Sequence, residues 1–334
     1  MRSASLADIG ESDLLRLLTE IATEGSDESL VLGPGDDAAI WHPPSGVDVV
    51  VTQDALVEER DFRRAWIQPR QIGRRALHLA LSDIAGMGAR PAWCLATMCA
   101  HGATPLEDVL EIQRGLVAAA REHRCAVAGG DLSDTDGPMV IDVAVGGAIA
   151  AGRCLRRDAG RPGDVLVVTG TLGRAAAGLR CLDGNVEVST AARMMWEGAL
   201  LEPRARIAEG LALVEAGVRC GGDVSDGLAV DAGRTARASA CASELWLDHL
   251  PVDAELRAAF GDGWVDVALG GGDDLELVAA VPPESLAGLL GTWSRDLVPL
   301  RRVGRLVEGD GLHVLASEGG APIAAPHVAS RHWR

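Results

Sequence analysis

The sequence predicts a two-domain α+β protein. Three observations predict it. The chain has 334 residues, about twice the length of a common domain. Strand-like and helix-like segments alternate in both halves, without the strict βαβ regularity of a doubly wound sheet. The segment 152–163 is rich in Gly and Arg, contains Pro162 and reads as a boundary. Domains of 1–150 and 151–334 follow. The two halves share a broad order of elements, which hints at a duplicated topology, although no residue-level repeat is visible.

The elements justify this in order. Leu14, Leu15, Leu17, Leu18 and Ile21 fall at helical spacing, with Ser12 as a cap. A Gly/Pro/Asp loop follows at 33–37. The β-branched run 47–51 reads as a strand ending in Thr52-Gln53-Asp54. Pro69 fits the first turn of a helix reaching about Met87. A strand over 92–100 precedes a helix from Pro105, with Leu106, Val109, Leu110, Ile112, Leu116 and Val117 on one face. A short buried strand at 125–128 ends in Gly129-Gly130-Asp131, and 140–150 is another strand. Beyond the boundary, a strand over 165–169 leads through Gly170-Thr171-Leu172-Gly173 into a helix from Ala175. That turn offers backbone N–H groups to an anion, although a plain strand-to-helix turn also explains it. Helices at 191–200 and 204–216, a strand at 220–224, a helix from Leu228 and a strand at 244–247 follow. A Gly-rich turn at 270–274 leads into a strand over 275–281, and the tail carries two short strands.

Composition narrows the function. The net charge of −17 argues against nucleic acid or an anionic membrane as a partner. No apolar run reaches the roughly 18 residues of a membrane span, and Met1–Gly10 lacks the regions of a signal peptide, so a cytoplasmic protein is expected. The seven cysteines form no CxxC, so buried thiols are expected rather than disulfides or a cysteine zinc site. There is no lysine, which excludes a P-loop lysine, a kinase strand lysine and Schiff-base chemistry.

Five acidic motifs recur at strand ends or Gly-rich turns: Gly35-Asp36-Asp37-Ala38, Thr52-Gln53-Asp54, Leu81-Ser82-Asp83-Ile84-Ala85-Gly86-Met87-Gly88-Ala89, Gly129-Gly130-Asp131 and Asp223-Val224-Ser225-Asp226-Gly227-Leu228. Magnesium takes oxygen ligands, through a few carboxylates plus substrate phosphates. Aspartates from separate loops suit that role. Asp beside Gly is also ordinary turn chemistry. Asp83 stands apart because its stretch, 77–87, is otherwise apolar, and a lone charge there is costly unless paired or metal-bound. His78 on the same helix reads as a core or interface histidine, and His101 and His123 as solvated ones. Arg63, Arg64, Arg70, Arg74 and Arg75 read as a solvated helix face with a phosphate contact as the sharper alternative.

In this order, the motifs resemble the thiamine-monophosphate kinase family, within the wider superfamily of aminoimidazole-ribonucleotide synthetase, selenophosphate synthetase and the hydrogenase maturation dehydratase. Asp54-Ala55-Leu56-Val57, Pro91-Ala92-Trp93, Arg161-Pro162-Gly163-Asp164 and Thr169-Gly170-Thr171-Leu172-Gly173 extend the likeness, which covers about residues 8–315. It implies an aminoimidazole-ribonucleotide-synthetase-like fold. The N-terminal mixed sheet would form a barrel in a homodimer, the C-terminal sheet would be covered by helices, and an ATP and acceptor cleft would lie between the domains. It implies metal positions at Asp37, Thr52, Gln53, Asp54, Asp83, Asp131, Asp223 and Asp226. Nucleotide contacts are implied at Gly130, Asp131, Arg153 and Ser225, and the catalytic role falls to Asp83, Asp131 and Asp226. Gln53 stands where the family has Thr or Ser. The implied cofactors are Mg²⁺ and ATP, and the implied chemistry is direct in-line transfer of the γ-phosphoryl group to thiamine monophosphate, by positioning and charge neutralisation.

Departures gather on the acceptor side. The family's histidine in a Gly-x-His-Phe segment is Asp61 here. Its Gly-Gly-Glu-Asp-Tyr-Glu-Leu becomes Gly271-Gly272-Asp273-Asp274-Leu275-Glu276-Leu277, so Asp273 replaces an acceptor-facing Glu. Its C-terminal stacking aromatic is Ser330 here, with Trp333 nearby. A site that loses such partners discriminates against its old ligand. The sequence therefore also admits a paralogue acting on a different phosphorylated acceptor. An ATP-dependent synthetase or dehydratase of the wider superfamily is a further reading, against which the N-terminus, with neither a nucleophilic Cys nor a Gly-rich arm, argues. A non-catalytic sensor would be expected to lose metal aspartates, and none is lost.

Overall fold

The computed structural model describes residues 5–9, 11–23, 30–32 and 38–324. Asp37, Ser330 and Trp333 lie outside them. The chain forms two compact units, Met1–Ile84 with Arg90–Ala151, and Ala85–Ala89 with Gly152–Arg334.

The first unit runs α1 (Leu6–Ile9), α2 (Glu11–Thr23), β1 (Leu30–Leu32), β2 (Ile40–Trp41), β3 (Val47–Val57), α3 (Pro69–Gly86), β4 (Arg90–Ala100), α4 (Leu106–Glu122), β5 (Ala126–Asp134) and β6 (Val140–Ala150). β1 and β2 pair with each other, and the main sheet has the order β3-β6-β4-β5, with β4 and β5 parallel and the other pairs antiparallel. Ile72, Ala76, Leu77, Ala80, Leu81 and Ile84 form a helical stripe on α3 and are wholly buried. At about 1.5–3 kcal/mol for each large aliphatic side chain taken from water, that stripe fixes the helix. α3 and α4 approach closely because each has a glycine at the crossing. A Cβ on Gly73 would stand 1.8 Å from the Ile112 carbonyl oxygen, and one on Gly115 would stand 1.9 Å from that of Arg70.

The second unit runs β7 (Val165–Thr169), α5 (Arg174–Leu182), α6 (Thr190–Leu201), α7 (Ile207–Glu215), β8 (Cys220–Val224), α8 (Leu228–Ala238), β9 (Ala242–Trp246), α9 (Ala254–Phe260), α10 (Trp264–Gly270), β10 (Glu276–Val281), α11 (Pro283–Thr292), β11 (Leu300–Val307), β12 (Leu312–Leu315) and β13 (Pro322–Ile323). Its sheet has the order β13-β12-β9-β11-β7-β10-β8. β7, β8 and β10 are buried along their whole length, so their residues do not alternate between buried and exposed, and Asp223 on β8 and Glu276 on β10 are buried charges.

The α+β class holds. Several local expectations shift. α2 starts at Glu11, so Ser12 lies inside the helix rather than capping it. Thr52-Gln53-Asp54 lies within β3, and Gly129-Gly130-Asp131 within β5, rather than at strand ends. Polar and Gly residues are poor strand formers in isolation, but pairing with β6 and β4 overrides that preference. α9, α10 and α11 go beyond the sequence reading. The two sheets have four and seven strands in different orders, so duplication is not visible in their topology.

Candidate active site

In the first unit the site grows from strand alternation. Successive side chains of β3 point to opposite faces. Thr52 therefore faces α3, where its hydroxyl donates to Oδ2 of Asp83. Asp54, two residues on, shares that face. This hydrogen bond offsets part of the cost of a carboxylate on an otherwise apolar helix stripe. Gln53 points the other way, is exposed, and donates its amide to Oδ2 of Asp142 on β6. It does not join Thr52 and Asp83, because the period of two carries it through the sheet. Asp142 is a residue that the sequence reading missed. It sits alone between apolar residues, and only the β3–β6 register brings it to Gln53.

Asp131 lies opposite Thr97 across the parallel β4–β5 pair, and Thr97 lies opposite Asp142 across β4–β6. The three make one row across the sheet. The Asp131 carboxylate is exposed. Gly130 precedes it where β5 is irregular, and a Cβ there would stand 1.9 Å from the Ala96 carbonyl oxygen. The glycine is required by the approach of the two backbones. Asp61 closes the turn after β3. Its Oδ2 accepts from the Val57 N–H at 2.8 Å, and its own N–H donates to the Val57 carbonyl. The arginines before and on α3 bind the acids of α4 or its own approach: Arg64 pairs with Asp108, Arg70 with Glu111 at 3.6 Å, Arg74 with both oxygens of Glu122 at 2.8 and 3.0 Å, and Arg63 with Glu59 at 3.6 Å. Arg75 is buried. The face is thus an ion-pair seam rather than a bare solvated one.

In the second unit, Asp223 is the penultimate residue of the buried strand β8, and Ser225, Asp226 and Gly227 make the turn into α8. Asp231, one turn into that helix, binds the turn from behind. Its Oδ2 accepts from the backbone N–H of Ser225 at 3.1 Å and of Asp226 at 3.0 Å. Arg234 reaches Asp231 at 2.9 Å and Asp226 at 2.5 Å, and Arg157 stands 3.6 Å from Asp223. Burial, and next the charge of Asp223, push the Asp231 carboxyl up to about 7. Gly227 has φ +103°, and a Cβ on it would meet the carbonyl oxygens of Leu269 and Gly271 at 2.8 Å. Only glycine allows this turn to lie against the Gly-rich one.

Asp273, on that Gly-rich turn, donates its N–H to the Ser225 carbonyl at 2.8 Å, and Leu275 donates to that of Val224. Both are non-glycine residues at left-handed φ, +66° and +50°. Strain of that kind persists only where the surroundings over-determine it, and it gathers at functional sites. Asp274 accepts from the N–H of Gly173 at 2.6 Å and of Ala175 at 3.1 Å. The N–H groups that the Gly170–Gly173 turn offers are therefore taken in part by a carboxyl of the chain itself, in keeping with a plain strand-to-helix turn. Burial pushes this carboxyl up to about 7 against those two donors. Glu276 is buried and accepts from Nε and Nη2 of Arg206 at 2.8 and 2.6 Å, and Thr169 donates to it at 2.7 Å. Asp231 and Arg206 had no signal in the sequence beyond their residue type. Arg153 is exposed in the loop after β6.

Thr52, Asp54 and Asp83 on one face of the first sheet, and Asp131 on the other, offer only oxygen donors, as do Asp223, Ser225 and Asp226. That donor chemistry fits magnesium, a hard cation, and does not fit a thiolate-seeking metal. Among the described residues, Thr52, Asp54 and Asp83 share one face of the first sheet, Asp131 lies with Gln53 and Asp142 on the other, and Asp223, Ser225 and Asp226 are neighbours in the second unit.

Comparison with known proteins agrees. Residues 35–149 match the family model for the AIR synthase related protein N-terminal domain, and residues 161–316 match the C-terminal domain. Thiamine-monophosphate kinase of Bacillus subtilis (strain 168) is 30% identical over 89% of this chain and 91% of its own length. The crystal structure of thiamine-monophosphate kinase from Stenotrophomonas maltophilia K279a is 35% identical with a TM-score of 0.79, covering 95% of this chain and 99% of that one. A solved structure of AaThiL complexed with AMPPCP and TMP is 28% identical with a TM-score of 0.73, covering 94% and 96%. With the two-domain AIR-synthase-like fold and both carboxylate groups in place, this chain belongs to the thiamine-monophosphate kinase family.

Proposed function

We propose that this chain is a magnesium-dependent kinase that transfers the γ-phosphoryl group of ATP directly to the phosphate of thiamine monophosphate, giving ADP and thiamine diphosphate. The oxygen-only carboxylate groups on β3, α3 and β5 and on the Asp223–Gly227 turn carry this reading, alongside relatives that bear the activity in their names. Bound magnesium would neutralise charge between two phosphorylated reactants that otherwise repel. Asp83, Asp131 and Asp226 would hold cations, Thr52 and Asp54 would complete the first unit's ligands, and Asp223 the second's. Gly130, Ser225 and Arg153 would meet the nucleotide. Arginines supply all the cationic side-chain help, as the absence of lysine requires.

In this reading the 1–150 domain carries ATP, metal and self-association, and the 151–334 domain completes nucleotide and acceptor binding. The protein acts in the cytoplasm as a homodimer. The outward face of the first unit's sheet supports the dimer, because Val49, Val51 and Leu95 are 48%, 63% and 38% exposed there. No helix among the described residues is long and apolar enough to cross a membrane. The acceptor-facing positions support a second reading, a kinase for another phosphorylated acceptor. Asp61 spends its carboxylate on the Val57 N–H, so it is committed to its own turn.

An ATP-turnover assay with thiamine monophosphate and Mg²⁺, beside Asp83→Asn, tests both. Thiamine diphosphate formed by the native chain and lost in the variant supports the first reading. ATP binding with no thiamine diphosphate overturns it in favour of the second.

A further inference from the structure

We propose a second metal site, chemically distinct from the aspartate groups, formed by His78, Glu122 and His123 and suited to Zn²⁺ or a similar borderline-soft divalent cation. His78 projects from the middle of α3 and is buried, while Glu122 ends α4 and His123 is its C-cap. One ligand atom from each of the three lies within 4.8 Å of the other two. The imidazole rings meet edge to face, with centroids 5.2 Å apart. The glycine crossing at Gly73 and Gly115 is what brings the two helices close enough for this.

Two imidazoles and a carboxylate, leaving one position open, are a familiar zinc donor set. Tetrahedral bonds near 2.0–2.1 Å place ligand atoms about 3.3 Å apart, so the trio must contract. His78 is fixed by its burial, but Glu122 is exposed and His123 is half-buried at a helix end, and both have room to close in. A second feature favours a cation. The C-terminal end of α4 carries the negative pole of the helix, in addition to the carboxylate. Arg74 opposes it by holding both oxygens of Glu122. A metal taking one oxygen would displace one arm and leave the other on the second oxygen, an outer contact that orients the ligand. Imidazole ligands separate this site from the aspartates, because magnesium discriminates against nitrogen donors. Occupancy would clamp α3 to α4, and α3 carries Asp83.

The test is a Zn²⁺ titration of the full chain by calorimetry in excess Mg²⁺, with His123→Ala and Glu122→Gln beside it. One Zn²⁺ per chain is expected to bind despite the Mg²⁺, with each variant weakening it by more than the roughly 10–100-fold that loss of an outer contact costs. No zinc binding in excess Mg²⁺, or binding unchanged in both variants, overturns the proposal. A readout without variants uses Co²⁺ in the native chain. Paramagnetically shifted imidazole N–H resonances from two histidines support the site, and their absence at saturation sinks it.

Discussion

The carboxylates of the two units are held in opposite ways. In the first unit, Asp83 meets a hydroxyl, and Asp131 lies exposed in an open row of the sheet. In the second, Asp226, Asp231 and Glu276 meet guanidinium groups, and Asp274 caps a helix. A hydroxyl leaves the charge of a carboxylate in place, whereas an arginine cancels it. In the proposed reading a cation would complete Asp83 and Asp131. The second unit's acids chiefly shape backbone turns, with Asp223 and Asp226 at the margin of that network. The same residue type thus stands beside a hydroxyl in one unit and beside guanidinium groups and backbone N–H groups in the other.

This contrast breaks most readily at Asp83. Asp83→Asn is expected to lower kcat by about 10³ or more, the scale of losing a preorganised electrostatic group, while the melting temperature barely moves because the Thr52 hydroxyl still has an oxygen to bind. A collapse in stability together with activity would show that Asp83 is architectural after all. Arg206→Ala should do the reverse. It leaves the Glu276 carboxylate buried without its guanidinium and should cost about 3–5 kcal/mol in urea denaturation; a near-neutral result would mean that the second unit does not depend on its ion pairs.

A pH series sharpens the same point. Asp231 and Asp274 titrate near 7 in the fold, well above the ordinary carboxylate value of 3.8. Between about pH 4 and 7 the folded chain then binds more protons than the unfolded one, so stability should fall as pH rises through that window. Thermal melts of the metal-free protein that rise over the same range would refute it. A smaller effect is expected at the end of α8. Ala240 has φ +53° just after the helix, where the Cys241 N–H reaches the Ala236 carbonyl and the Ala240 N–H reaches that of Arg237. Glycine suits that position better, so Ala240→Gly should stabilise by up to about 1 kcal/mol. The smallest effect is Gln53→Ala. On the face away from Asp83, it should change kcat by only about twofold, the ±0.5 kcal/mol scale of an exposed substitution. A loss as large as that of Asp83→Asn would return Gln53 to the cation site.

The sequence by itself determined the α+β class, the strands at 140–150, 165–169 and 220–224, and the ordered motifs that place the chain in its family. These are legible because hydrophobic period, turn residues and motif order are local properties of a chain. Only the tertiary structure decided which acids face which partner. The period of two on β3 separates Gln53 from Thr52, and register alone joins Gln53 to Asp142. The fold also turns Asp274 onto the helix start that otherwise invites a ligand, and it sets His78 beside Glu122 and His123 from two helices. Such pairings depend on residues far apart in sequence, and the alternation that would reveal them carries no sign of what stands opposite until a neighbouring strand or helix is in place.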